Sequence, residues 1–202
     1  MHKKIQQISK KWPIARKEKV YVVVPSHTHF MPLLVIMRDI LKLGKNKKEI
    51  RRILSSGSVK INGKIIKDYK QPAQLFDIIT LGDKKYKMVL TNKGKYKLEE
   101  TKDNEKISKV IGKKVLKTGL VQVNLNDGRN IISKEKVNVG DSVIIKEKGI
   151  EVIKLQDNCK VLILEGRHSG AIGKVKKIEE KFARISLDGK EFDVLKKLIM
   201  AI

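Results

Sequence analysis

The chain has one cysteine, Cys159, and a lone thiol cannot close an intrachain bridge, so a disulfide framework is excluded and a reducing compartment fits. Aromatic residues make up only 4% of the sequence, so any core has to be built from Ile, Val, Leu and Met. Acidic residues are scarce beside basic ones: 22 Asp and Glu stand against 46 Lys and Arg, a formal net charge of +24. Long apolar runs are missing too. The longest, Val20 to Pro25 and Pro32 to Met37, fall far short of the roughly 20 residues needed to cross a bilayer. No apolar stretch or small-residue cleavage site follows the basic N-terminus, so no secretory leader is expected and the predicted location is cytoplasmic.

What is present is charge of one sign on a chain that can still fold. An excess of this size calls for a polyanionic partner, and Lys and Arg are drawn by the same long-range field to nucleic acid and to anionic lipid. The absence of a spanning segment turns the choice towards nucleic acid. At 41% hydrophobic, the 202 residues suit several small aliphatic cores better than one large one.

Residues 1 to 19 carry Lys3, Lys4, Lys10, Lys11, Arg16, Lys17 and Lys19 against Glu18 alone, which reads as a basic extension, disordered until it meets its partner. From Pro32 the apolar residues Leu33, Ile36, Met37, Ile40 and Leu41 recur at helical spacing, with Gly44 after the last, which predicts a helix over about 32–43. Asn46 and Glu49 then form a capping-box-like start to a shorter helix whose apolar stripe is Ile50, Ile53 and Leu54, stopped at Ser56-Gly57. Val59-Lys60-Ile61 and Lys64-Ile65-Ile66 flank Asn62-Gly63, the strongest short signal for a two-residue hairpin, and Asp77 to Leu81 looks like a closing strand. Residues 99–106 mix both charges without apolar periodicity, which marks a linker or exposed loop. Beyond them, alternation at Val121, Val123 and Leu125, the Asp127-Gly128 turn, Ile131-Ile132 and Val143-Ile144-Ile145 predict a central β-domain over 84–155. Strands expected at 160–164, 172–178 and 182–187, with Gly166, Gly170 and Gly173 between the first two, suggest a small barrel.

On the second helix Lys48, Arg51, Arg52 and Ser55 share one face opposite the apolar stripe, and Lys47 lies beside them. Like charges at this spacing weaken an isolated helix by about 0.2–0.5 kcal/mol per pair, whereas phosphates turn the repulsion into attraction. Arg38, Lys42, Lys45, Lys60, Lys64 and Lys67 extend the same sign, so a nucleic-acid face outweighs an ordinary solvated one. Trp12, the only tryptophan, has two equal readings: it stacks on a base, or it anchors its segment on the protein. Arg129 follows the Asp127-Gly128 turn as a further candidate contact. Catalytic readings fare poorly. His27 and His29 make half a metal site that no Cys pair or carboxylate at ligand spacing completes, and Asp39, Asp68 and Asp77 are isolated carboxylates amid cations. No catalytic residue, metal, cofactor, small-molecule substrate or membrane is expected.

Two helices followed by an Asn-Gly hairpin, with Val59-x-Ile61-Asn62-Gly63-Lys64, resemble the small RNA-binding module named after bacterial ribosomal protein S-four. Leu164 to Val175 resembles the KOW motif, in which glycines let the backbone approach phosphates and Arg167, His168, Ser169 and Lys174 supply donors. A glycine-rich hairpin without a ligand is the plainer reading. With these pieces in order, the whole chain resembles ribosomal protein four of the archaeal and eukaryotic small subunit, the e-type family. The match includes Trp12 and Arg16-Lys17, Pro32-Leu33-Leu34, Arg38 to Leu41, Phe76-Asp77-Ile78-Ile79, Ile111-Gly112-Lys113 and, most specifically, Gln122 to Ile131. It departs from the family at Ser26 to Phe30, where a Gly-Pro-His-type loop is usual, and in the short C-terminus, Phe192 to Ile202.

The resemblance implies an α+β chain: a basic N-terminal extension (1–31), a helix-helix-hairpin RNA-binding domain (32–83), a β-rich central domain (84–155) and a C-terminal KOW-type, SH3-like barrel (156–202). It implies a non-enzymatic constituent of the cytoplasmic small ribosomal subunit, with ribosomal RNA and neighbouring ribosomal proteins as partners. The rival expectation is a KOW-containing RNA-binding factor, or an RNA-modification accessory protein, that associates reversibly.

Overall fold

A computed structural model describes residues 2–16, 21–25, 30–117, 119–146 and 149–202. Lys17, His27 and His29 lie outside the described residues. The chain divides into two compact units, residues 1–89 with 95–103, and 90–94 with 104–202. Secondary structure is mostly strand, with a 3₁₀ turn (Ile5–Gln7) and two short helices in the first unit.

The first unit begins with a folded segment, which corrects the expectation of a disordered extension. Strand β1 (His2–Lys4) pairs antiparallel with β2 (Tyr21–Val23), bringing His2 opposite Val23. Ile5, Ile8, Trp12, Val22, Val23 and Val24 are all buried. These apolar residues are too widely spaced to show a helical or strand period, and the pairing that gathers them joins residues about twenty positions apart. Tyr96 N–H donates to the Lys11 carbonyl and fastens the segment further.

Strand β3 (Met31–Pro32) pairs with β6 (Pro72–Ala73). Helix α1 (Leu33–Val35) then starts without a side-chain cap, because two of its free N–H groups donate to strand-side carbonyls: Leu33 to Gln71, at 2.9 Å, and Leu34 to Tyr69, at 3.0 Å. From Ile36 to Ile40 the helix widens into a π turn, closed by Leu41 N–H donating to Ile36 O. Helix α2 (Lys47–Ser55) packs Ile50 and Leu54 into the core, while Ile53 is only half-buried and so stands at the margin of the predicted stripe.

The hairpin forms as its Asn-Gly pair requires. Strands β4 (Val59–Ile61) and β5 (Lys64–Ile65) are joined by Asn62 and Gly63, with φ of 49° and 80°. β7 (Ile78–Leu81), β8 (Lys84–Leu90) and β9 (Tyr96–Glu100) complete a five-stranded sheet ordered β5-β4-β7-β8-β9. β9 therefore occupies part of the segment expected as a linker, and the expected boundary at 83/84 falls inside this sheet. Asp77 is 3% exposed yet well served: its carboxylate accepts from Asn62 Nδ2 at 2.8 Å and from Gln74 N–H at 2.7 Å, while Ile78 N–H donates to Asn62 Oδ1 at 3.0 Å. A buried carboxylate with this many donors is a latch between hairpin and sheet rather than a free acid.

In the second unit β10 (Lys106–Val115), β11 (Val121–Leu125), β12 (Asn130–Ser133), β13 (Ser142–Lys146) and β14 (Gly149–Ile153) form a sheet ordered β12-β11-β10-β13-β14. The first half of β10 pairs with β13 and the second with β11, across a bulge between Val110 and Gly112. Its inner face buries Val110, Val123, Leu125, Val137 and Val143. Asp127, with 2% of its side chain exposed, sits 2.6 Å from Lys106 Nζ. Burial alone would raise its carboxyl, but the hydrogen bonds from Lys106 and the Arg129 N–H hold it below the usual carboxylate range.

β15 (Lys160–Ile163), β16 (Ile172–Ile178), β17 (Phe182–Leu187), β18 (Lys190–Leu195) and β19 (Ile199–Ala201) make a second five-stranded sheet, ordered β18-β17-β16-β15-β19, over Val161, Ile163, Val175, Ala183, Ile185 and Ile199. Cys159 is half-buried against this core, and burial pushes its thiol up. Lys109, 6% exposed, donates its Nζ to the carbonyls of Lys196 (2.7 Å), Lys197 (3.0 Å) and Ile199 (2.6 Å).

Candidate nucleic-acid interface

Helix α2 presents the most uniform cationic surface of the first unit. Ile50 and Leu54 are anchored in the core, so the helical period turns Lys47, Lys48, Arg51 and Arg52 to solvent, and all four are exposed. Among the described residues no carboxylate lies within ion-pair distance of Lys48, Arg51 or Arg52. The one acid of the helix, Glu49, is turned back to the helix start: its Oε2 accepts from Lys45 N–H at 2.8 Å and its Oε1 from Asn46 Nδ2 at 3.4 Å. That backbone bond from Lys45 lowers its carboxyl and keeps it ionised where the helix dipole favours an anion. The Ser55 hydroxyl, counted on the cationic face, donates instead to Arg51 O at 2.8 Å.

The rest of the sequence-predicted set is unevenly placed. Lys42, Lys45, Lys60, Lys64 and Lys67 are exposed around the helix and hairpin. Arg38 is partly neutralised by a two-point bond to Asp39, Nε to Oδ1 at 2.7 Å and Nη2 to Oδ2 at 2.9 Å. On the N-terminal segment Lys4 and Lys10 are exposed and Lys3 and Lys11 half-buried. Trp12 is 1% exposed, so of its two readings the anchor stands and the stacking platform does not. Arg16 also turns inward, donating from Nη1 to Ile8 O at 3.3 Å and from Nη2 to Ser9 O.

Sequence reasoning missed Tyr69 and Lys70. The Lys47 ammonium lies 4.4 Å from the centre of the Tyr69 ring and that of Lys70 lies 5.8 Å away, so a π face sits within the cationic cluster. The hydrogen bond from Lys47 lowers the Tyr69 hydroxyl. The only signal in the sequence was an aromatic residue embedded in Lys67-Asp68-Tyr69-Lys70, a loop with no period to direct attention to it.

In the second unit the Leu164 to Val175 hairpin is more self-contained than its glycines suggest. A Cβ on Gly173 would stand 2.5 Å from Ile185 Cγ2, and one on Gly170 would collide with the Thr91 carbonyl, so both glycines serve internal packing rather than phosphate approach. The Ser169 hydroxyl donates to Leu164 O at 2.8 Å, which removes it as a free donor, and the His168 ring stacks on Phe192 at 4.4 Å between centres. Arg167 and Lys174 are exposed, and Lys174 stands directly opposite Lys160, a second cation overlooked in the sequence. Arg129 Nε lies 3.6 Å from the buried Asp127 carboxylate, so part of its charge is used within the fold.

Among the described residues no group of three or more His, Cys, Asp or Glu gathers to hold a metal, and no helix is long and apolar enough to cross a membrane. What the first unit offers is an exposed cationic face on α2 with no carboxylate beside Lys48, Arg51 or Arg52 among the described residues, which suits a phosphate backbone.

Comparison with known proteins points the same way. Residues 31–79 match the model of the S4 domain and residues 82–152 that of ribosomal family S4e. The chain is 35% identical to the small ribosomal subunit protein eS4 of Archaeoglobus fulgidus, over 96% of this chain and 88% of that one. It is 38% identical to the protein of the same name from Methanocella arvoryzae, over 83% of this chain and 76% of that one. The crystal structure of the 30S ribosomal protein S4e from Thermoplasma acidophilum superposes with a TM-score of 0.73 at 29% identity, covering 85% of this chain and 93% of that one. The relatives align over most of their own length and of this chain, and the chain belongs to the ribosomal S4e family.

Proposed function

We propose that the chain is a structural, non-enzymatic constituent of the small ribosomal subunit that binds and clamps folded ribosomal RNA, with neighbouring ribosomal proteins as its other partners. The observation that carries this reading is the face of α2, where Lys48, Arg51 and Arg52 are exposed without a carboxylate while Ile50 and Leu54 fix the helix from behind. Such a face is held against its own repulsion by the fold and gains from every phosphate that approaches. Lys47, Lys60, Lys64, Lys67 and Lys70 widen the contact, and Lys4 and Lys10 add to it from the N-terminal segment. In the second unit Arg167 and Lys174 are the contacts that remain after Ser169 is discounted, on a sheet that we read as a KOW-type, SH3-like barrel. Folded RNA, recognised by phosphate positions and shape, suits a protein with so few aromatic residues.

The test separates folding from binding. Arg51→Glu with Arg52→Glu leaves the melting temperature nearly unchanged, since exposed charges alter stability by under about 0.5 kcal/mol, and sharply weakens binding to small-subunit ribosomal RNA. Binding equal to the parent's refutes the assignment of this face. Sedimentation of cell extract checks the structural role: a constant one-to-one presence in small subunits at high salt supports it, and loss at high salt with substoichiometric occupancy favours a reversible factor.

A further inference from the structure

The outer face of β12-β11-β10 takes no part in the buried core of its sheet. Val123 and Leu125 point inward, so Gln122 and Asn124 point out. The register sets Gly112 opposite Asn124 and Asn124 opposite Asn130, and in the next row Lys114 opposite Gln122 and Gln122 opposite Ile132. Six residues on three strands therefore share one surface: a glycine, three amides, a lysine and an isoleucine, with no carboxylate among them.

Gly112 is the anomaly. A glycine in a strand interior weakens the strand and is usually explained by a bulge, a positive φ or crowding. Neither a positive φ nor crowding applies here: its φ lies outside the positive range, and a Cβ would meet nothing closer than Asn124 Nδ2 at 3.5 Å, an ordinary contact, while the register shift between Val110 and Gly112 places the residue at the edge of the bulge. Gly170 and Gly173, by contrast, are each required by an atom of their own fold. A backbone bare of side chain at the edge of a bulge also admits close approach by something outside the chain. Ile132, 58% exposed in the middle of a strand, also lacks an internal partner.

We propose that this face is a second RNA-contact surface, fitted to the shallow minor groove of A-form RNA. The groove presents 2′-hydroxyls that donate and accept, which is what a row of amides matches. The Gln122 Nε2 to Asn124 Oδ1 bond, at 3.3 Å, couples the pair, and among the described residues no hydrogen bond takes up the Asn124 amide N–H groups or the Gln122 carbonyl. Ile132 meets the apolar side of a ribose, Lys114 meets phosphate, and the missing side chain at 112 lets the sugar edge sit against the strand. The charge of the face favours RNA over a protein neighbour. The inference rests on ribosomal RNA being the partner but uses none of the residues of α2.

The experiment uses the full chain, with in vitro transcribed small-subunit ribosomal RNA of Archaeoglobus fulgidus and a mixed-sequence duplex made once as RNA and once as DNA. Gly112→Thr introduces a strand-favouring residue at a position where a Cβ meets only ordinary contacts, so the variant keeps or gains thermal stability. Its affinity for the ribosomal RNA falls by about tenfold, and Asn124→Ala narrows the preference for the RNA duplex over the DNA duplex. Stability gained while affinity is lost is the signature of a contact glycine, which a packing glycine does not give. Unchanged affinity in Gly112→Thr overturns the inference. If that variant fails to fold, Asn130→Glu, at an exposed position, decides in its place by the same measurement. Normal RNA binding with failed incorporation into subunits assigns the face to a protein neighbour and likewise overturns it. Loss of binding confined to the Arg51/Arg52 variant overturns this surface but leaves the proposed function standing, whereas a parent protein that does not bind the ribosomal RNA overturns both.

Discussion

Replacing Lys109 by methionine keeps the length of the side chain and removes its charge and its donors. The ammonium is nearly inaccessible and donates to three backbone carbonyls of the C-terminal segment, those of Lys196, Lys197 and Ile199, with no carboxylate among these partners. Each such bond from a charged donor is worth about 1.5–3 kcal/mol, so the three together represent about 5–9 kcal/mol. Against this stands the cost of burying the charge. Burial lowers the Lys109 ammonium from 10.5 to about 8, which at 1.36 kcal/mol per unit is about 3 kcal/mol recovered by methionine. The net expectation is a loss of about 2–6 kcal/mol at neutral pH, concentrated on β19 and the turn before it. The sign of the pH dependence follows from the lowered value. Between pH 8 and 10.5 the folded protein has released this proton while the unfolded chain still holds it, so the contribution of this group to stability rises with pH across that window and is smallest below it. Urea melts of parent and Lys109→Met at pH 7 and pH 9.5, with hydrogen exchange of the amides of residues 199–202, measure both effects. A variant as stable as the parent at pH 7, with unchanged exchange at those amides, refutes the reasoning, as does an identical pH dependence in the two proteins.

The other predictions are simpler. Ile50→Ala costs about 2–5 kcal/mol because Ile50 is fully buried, while Ile53→Ala, at the half-buried margin, costs clearly less, and thermal melts rank the two. Trp12→Ala costs about 3–5 kcal/mol and raises proteolytic sensitivity of residues 2–16, where a segment ordered only by RNA would show no change. Affinity for ribosomal RNA falls linearly on a log–log plot against salt, at roughly −0.7 to −0.9 per phosphate contact, and the Arg51/Arg52 variant has the shallower slope in filter-binding titrations. Asn62→Ala leaves the Asp77 carboxylate short of a donor and lowers the melting temperature more than Asn62→Asp does at acidic pH, where a protonated carboxyl can still donate.

What the sequence disclosed and what it hid divide along the range of the interactions. The α2 helix, the Asn62-Gly63 hairpin and the Asp127-Gly128 turn were legible because each is set by residues a few positions apart. The N-terminal segment was misread because Ile5, Ile8 and Trp12 are brought together by pairing with residues 21–23 and by the Tyr96 bond to Lys11, which no local period announces. That β8 and β9 join the hairpin's sheet was hidden for a similar reason, since strand alternation says nothing of which sheet a strand joins. In the candidate site, α2 was found because charge and burial alternate at the helical period. Ser169, Gly170 and Gly173 were overvalued because their residue types suit phosphate contact, and only three-dimensional neighbours show that each already serves the fold. Tyr69 was overlooked because its cationic partners converge on it from a loop and from a helix.

The latch between Asn62 and Asp77 bears on how the protein ages. An Asn-Gly pair is the sequence most prone to spontaneous deamidation, in which the glycine N attacks the asparagine Cγ, expels ammonia and closes a succinimide that reopens to aspartate or isoaspartate. Here both ends of the Asn62 amide are held, Nδ2 by the Asp77 carboxylate and Oδ1 by the Ile78 N–H, so Cγ is kept from swinging over the Gly63 nitrogen. The folded domain therefore shields its own most labile side-chain amide, and a chain left unfolded is the one that decays. Once converted, a carboxylate at position 62 would face that of Asp77 and repel it, so a damaged copy would hold the hairpin against the sheet less firmly than an intact one.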